Sequence, residues 1–112
     1  FVNRYVFPDG ELTGPAKVMM AATNENWAVQ HEENIRVHYA KTLHCWRMNL
    51  EDNWDAAVAE VGERKARVWR LYMAASEFGF ARNIIQLHQF LLTNTTQDGV
   101  SGMPLRPDFS RQ

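Results

Sequence analysis

The chain has 112 residues, with 46% apolar, 22% charged and 12% aromatic side chains and a net charge of −1. That is the size and composition of one small globular domain with a modest core. Near-neutrality excludes a field that would draw in nucleic acid, a single cysteine excludes an internal disulfide framework, and no apolar run approaches a membrane span.

Phe1 opens inside an apolar stretch, without an initiator methionine, so the expectation is a piece of a longer chain. Any cofactor motif lacking here then belongs to the remainder. "YVFPDGEL" runs from aromatic and β-branched residues into Pro8-Asp9-Gly10, a strong turn signal. "TGPAKVMMAAT" has the chemistry of a helix start, with Thr13 or Gly14 as cap and Pro15 at the first helical position. Val18, Met19, Ala21 and Ala22 give it an apolar face, and Asn24 and Asn26 end it. "WAVQHEENI" alternates loosely and predicts a short strand leading into a loop.

A long helix follows. Tyr39, Leu43, Trp46, Leu50, Trp54, Ala57 and Val61 recur at steps of three or four, and Asp52-Asn53 is a point where it kinks or divides. Gly62 closes it. A second helix carries Ala66, Trp69, Met73, Ser76 and Phe80 on one stripe. Glu60 with Arg64 and Glu63 with Arg67 stand at i,i+4 with the acid first. "IIQLHQFLLTN" predicts a buried strand, and the Gly- and Pro-bearing residues 95–112 a loosely ordered tail. The element order suits the closing half of an α/β sheet.

Few constellations carry chemistry. His31 and His38 are seven apart rather than at the i,i+4 spacing of a helical zinc motif, and His44 and His88 have no ligand-like spacing, so no metal site is expected. Cys45 sits mid-helix beside Trp46, where a free thiol is expected as a small buried hydrophobe rather than a nucleophile. No glycine-rich loop joins a strand to a helix. Glu32, Glu33, Glu51, Asp52 and Asp55 read as a solvated face, and Trp46, Trp54 and Trp69 as core. Tyr39 is left with two readings from pattern alone. Its ring fills the core with the hydroxyl at the surface, or its hydroxyl is aimed into a pocket to bind an anion or move a proton.

Three blocks together resemble the C-terminal part of the cyclopropane-fatty-acid synthase family, which includes the mycolic acid methyltransferases. They are "NRYVFPDGEL", "HYAKTLHCWRMNLEDNWDAAVAEVG" and "RVWRLYMAASEFGFARNIIQLHQFLL", and they cover nearly all of residues 1–92. The resemblance implies the C-terminal portion of a Rossmann-like class I methyltransferase fold, α/β and helix-rich with a few sheet strands. Residues 1–94 would belong to that domain, with 95–112 as its tail. It implies methyl transfer from S-adenosylmethionine to the cis double bond of an unsaturated acyl chain, giving a cyclopropane, methylene or methyl-branched product. Tyr39 corresponds to the family's helix-motif tyrosine, one of the groups that hold a bicarbonate base. The family's glycine-rich cofactor loop and its other bicarbonate ligands lie upstream of this stretch, and neither Cys45 nor His38 corresponds to them. The stretch alone is therefore expected to be inactive.

The implied partners are an acyl lipid and no nucleic acid, with a cytoplasmic location, peripheral membrane contact and homo-oligomers compatible with the reading. Met19, Met20, Phe78 and Phe80 are candidates either for the wall of an acyl tunnel or for core. A non-catalytic lipid- or protein-binding relative, or a methyltransferase for another small-molecule acceptor, is the alternative.

Overall fold

The computed structural model describes residues 1–109. The elements are α1 (Val2–Tyr5), α2 (Pro15–Asn24), β1 (Trp27–Asn34), α3 (Arg36–Asp52), α4 (Trp54–Val61), α5 (Glu63–Ala81) and β2 (His88–Asn94). They divide into two units, Phe1–Glu11 with Ile35–Leu87, and Leu12–Asn34 with the described residues from His88 onward.

The first unit is a helix pair. α3 lies along α5, and its centre is Leu43 at 1% exposure, with Ala66 of α5 equally covered. The long helical stripe is divided as the Asp52-Asn53 step suggested. Asn53 turns its Nδ2 back to the carbonyl of Asn49 at 2.9 Å, a local bond that competes with helix continuation. Gly62 closes α4 at φ +81°, ψ 151°, a conformation that glycine alone adopts without strain. That break also separates Glu60 from Arg64, so this expected pair does not share a helix, whereas Arg67 donates to Glu63 at 2.7 Å. Phe7, beyond the unanticipated short α1, packs edge-on to Trp69 and Tyr72 of α5.

After α5 the chain folds back. Asn83 takes a left-handed φ of 59°, and the N–H groups of Ile84 and Ile85 donate to the carbonyl of Gly79 at 2.9 and 3.4 Å. A Cβ on Gly79 would stand 3.2 Å from Ile85 Cδ1, so glycine gives the returning chain room. This turn corrects the expected strand. Residues 84–87 are not extended, because their amides cap α5, and β2 begins only at His88. Ile35 N–H donates to the carbonyl of Leu87 at 2.9 Å, so the two ends of the helical segment meet.

In the second unit β1 and β2 pair antiparallel, from Trp27 opposite Asn94 to Asn34 opposite His88, and α2 packs beside β1. The register slips between Val29 and His31, and there Gln30 Nε2 donates to Thr93 Oγ1 at 2.9 Å. Pro15 starts α2 after an extended Gly14, as its sequence dictates. The β2 side chains are half-buried at most, less covered than the sequence suggested. Residues 95–109 form no helix or strand, and residues 110–112 of the expected tail lie outside the described residues.

Candidate functional site around Tyr39

Tyr39 sits in the first turns of α3, half-buried. Its ring meets two others at near right angles: Trp46 at 5.9 Å and 81°, and Phe80 of α5 at 5.0 Å and 82°. Such edge-to-face pairs set the positive edge of one ring against the negative face of another and fix ring orientation. Phe80 is itself held firmly, being 7% exposed. Arg36, three residues before Tyr39, donates from its guanidinium to the carbonyls of Phe80 and of Ala81, the latter at 3.1 Å. A cation on the last carbonyls of a helix is the favourable arrangement, and here it ties the start of α3 to the end of α5. The Tyr39 hydroxyl makes no side-chain hydrogen bond among the described residues, which leaves its O–H available as a donor.

One turn further along the helix pair lies a charged cluster. Arg47 Nε donates to Glu77 Oε2 at 3.0 Å and its Nη1 to Glu51 Oε1 at 3.1 Å, while His44 Nδ1 is 2.9 Å from the other oxygen of Glu77. The Arg47 hydrogen bond holds the Glu77 carboxyl below the usual carboxylate range, against desolvation and with help from His44. The sequence alone reads Glu51 as solvated and marks neither Arg47 nor Glu77. The i,i+4 spacing of Arg47 and Glu51 was the available signal. Glu77 gives none, because its partners come from another helix.

The histidines have separate local partners. His44 faces Glu77, His88 Nδ1 pairs with Glu32, and His31 packs on Phe109 at 5.1 Å with Glu33 4.0 Å from its Nε2. His38 is exposed. Among the described residues no three His, Cys, Asp or Glu side chains are grouped to hold a metal. Cys45 is exposed rather than buried, because its position on α3 turns away from the stripe that faces α5. Trp46 is likewise 46% exposed, not core, while Trp54 and Trp69 are half-buried. Of the four tunnel candidates Phe80 is core and touches Tyr39, Met19 is half-buried, and Met20 and Phe78 are exposed.

The residues present fit the implied groups only in part. β1 passes to α3 through Ile35 alone, so this part of the chain has no glycine loop to cradle an adenosyl cofactor. For a small anion the fit is partial: a free phenol O–H, its ring fixed between Trp46 and Phe80, supplies one donor.

Comparison with known proteins resolves the family. The model of mycolic acid cyclopropane synthetase matches residues 1–90. The chain belongs to that family. It is 52% identical over 107 residues to a probable fatty acid methyltransferase of Mycobacterium tuberculosis, covering 96% of this chain and 25% of the relative. It is 40% identical over 104 residues to a probable fatty acid methyltransferase of Pseudomonas putida, covering 93% of this chain and 26% of the relative. Among solved structures, mycolic acid cyclopropane synthase CmaA1 complexed with SAH and CTAB matches with a TM-score of 0.78 at 26% identity, over 81% of this chain and 32% of that one. The cyclopropane synthase MmaA2 of Mycobacterium tuberculosis has the same fold, with a TM-score of 0.78 at 22% identity, over 81% of this chain and 32% of that one. The family member described here is thus part of a class I methyltransferase fold, and spans about a quarter of the length of these curated relatives.

Proposed function

We propose that the full-length protein is an S-adenosylmethionine-dependent methyltransferase acting on the cis double bond of an unsaturated acyl chain. The observation that carries the reading is the Tyr39 hydroxyl, free to donate and fixed by Trp46 and Phe80, in a chain whose close relatives are named fatty acid methyltransferases. Methyl transfer leaves a carbocation on the acyl chain, and the product depends on how that cation loses a proton. Bicarbonate, when bound, would supply the base for that step. Tyr39 would donate its O–H to the anion and hold it in place, and a neutral phenol does this without cancelling the negative charge. The other ligands of the anion and the cofactor cradle would come from the rest of the protein. Apolar walls completed by the rest of the protein would exclude water, which competes for the cation.

On this reading residues 1–94 belong to the methyltransferase domain, 95–112 form its tail, and the stretch alone is inactive. The protein works in the cytoplasm on a lipid, at the inner face of the membrane. No described helix is long and apolar enough to cross one.

The test is expression of the full-length protein in a host making unsaturated phospholipids, followed by mass spectrometry of the fatty acids. A species heavier by one carbon supports the proposal, and its fragmentation separates ring, methylene and methyl branch. An unchanged profile with folded protein and cofactor present overturns it, and leaves a binding role or another acceptor.

A further inference from the structure

Trp46 stands two helical turns after Tyr39, on the same stripe of α3, and meets the phenol edge-on at 5.9 Å. Phe80 meets the phenol from α5 at 5.0 Å, and its backbone carbonyl is held by Arg36. The terminal torsion of a tyrosine is broad, so packing on the ring decides where its O–H points. With Phe80 buried and Trp46 46% exposed, the first is a structural wall and the second a restraint the core does not depend on.

We propose that Trp46 is a positioning residue for Tyr39, setting the plane of the phenol and so the direction in which its hydroxyl donates. This rests on the functional reading above and extends it to product control. In methyl transfer the sulfur–carbon bond of the cofactor breaks, a carbon–carbon bond forms at one alkene carbon, and the other carbon becomes cationic. Normal resolution gives a C–H proton to the base. With the base misplaced, water adds its oxygen to the cation and releases a proton, giving a methylated alcohol. Loosening Tyr39 should therefore change which product forms, beyond slowing its formation.

The experiment is a double-mutant cycle in the full-length protein, with Trp46→Ala and Trp46→Phe each made beside Tyr39 and beside Tyr39→Phe. It reads kcat, KM for the acyl lipid, and the ratio of the product formed by proton loss to the hydroxylated product. Trp46→Ala is expected to lower kcat by about two- to tenfold, the worth of an aromatic pair, with KM little changed and more alcohol formed. Trp46→Phe retains most of the wild-type behaviour, and in the Tyr39→Phe background Trp46→Ala adds little.

Equal losses in both backgrounds, or a raised KM at unchanged kcat, would overturn the proposal. Ring-proton NMR of isotope-labelled Tyr39 reads the same contact without turnover. Its shifts should move in Trp46→Ala and stay in place in Leu71→Ala, an exposed position of α5, and unmoved shifts in Trp46→Ala also overturn it. A wild-type protein that forms no methylated lipid, but shows the Tyr39 shift change, would instead refute the functional reading and keep the contact.

Discussion

Arg47 and Glu77 join α3 to α5 through a hydrogen bond of 3.0 Å, in the same helix pair that holds Tyr39 against Phe80. Glu51 and His44 complete the cluster, Glu51 accepting from Arg47 and His44 facing Glu77. The side chains of Arg47 and Glu77 are about three-quarters covered, which limits screening by salt.

The pair predicts an acid-sensitive helix contact. Its hydrogen bond lowers the Glu77 carboxyl relative to the unfolded chain. A lowered carboxylate adds stability above its unfolded value, near about 4.3, and that stability disappears as pH falls through the lowered folded value. Glu77→Gln should therefore lower the Tm at pH 7 and flatten its fall between neutral and acid pH. A Tm–pH curve parallel to wild type would refute this.

Leu43 is the best-covered large side chain, at 1% exposure. Leu43→Ala removes its contacts with α5 and leaves a hole at the helix crossing. A loss of about 2–5 kcal/mol is expected in urea unfolding. Trp46→Phe, at a half-exposed site, serves as the comparison and should cost well under half as much.

Gly62 makes a narrower claim. Its φ and ψ fall where a Cβ is strained although no neighbouring atom lies within 4 Å of one. Gly62→Ala should cost about 1–3 kcal/mol through backbone strain alone. Gly14→Ala, with equally open space and a negative φ, should be nearly neutral by the same unfolding assay.

Tyr39→Phe removes one oxygen from a half-buried ring and keeps both aromatic contacts. Turnover of the full-length protein should fall by roughly 10- to 100-fold, the worth of a hydrogen bond to a charged group, with the circular dichroism spectrum and Tm unchanged. Wild-type turnover in the folded variant would remove Tyr39 from the mechanism.

Local chemistry made much of this legible in the sequence. Pro15 after Gly14, the Asp52-Asn53 step and Gly62 each act through their own backbone or nearest turn, and each bounds a helix where expected. The failures share one physical cause. Ile84 and Ile85 look like strand residues, yet their amides are claimed by Gly79, a bond no propensity encodes. Cys45 and Trp46 look apolar, but α5 covers only part of α3 and leaves both exposed. Likewise Glu77, Arg36 and Phe80 acquire their roles only across the helix pair, from partners 30 to 45 positions away.

The hydrogen bond from Ile35 to Leu87 has an evolutionary consequence. A segment whose entry and exit are held 2.9 Å apart can lengthen, shorten or be exchanged while the flanking chain keeps its path, the condition under which insertions are tolerated. Residues between those two points, Tyr39 and Trp46 among them, thus sit on a segment closed at its base, with Phe7 as an outside contact.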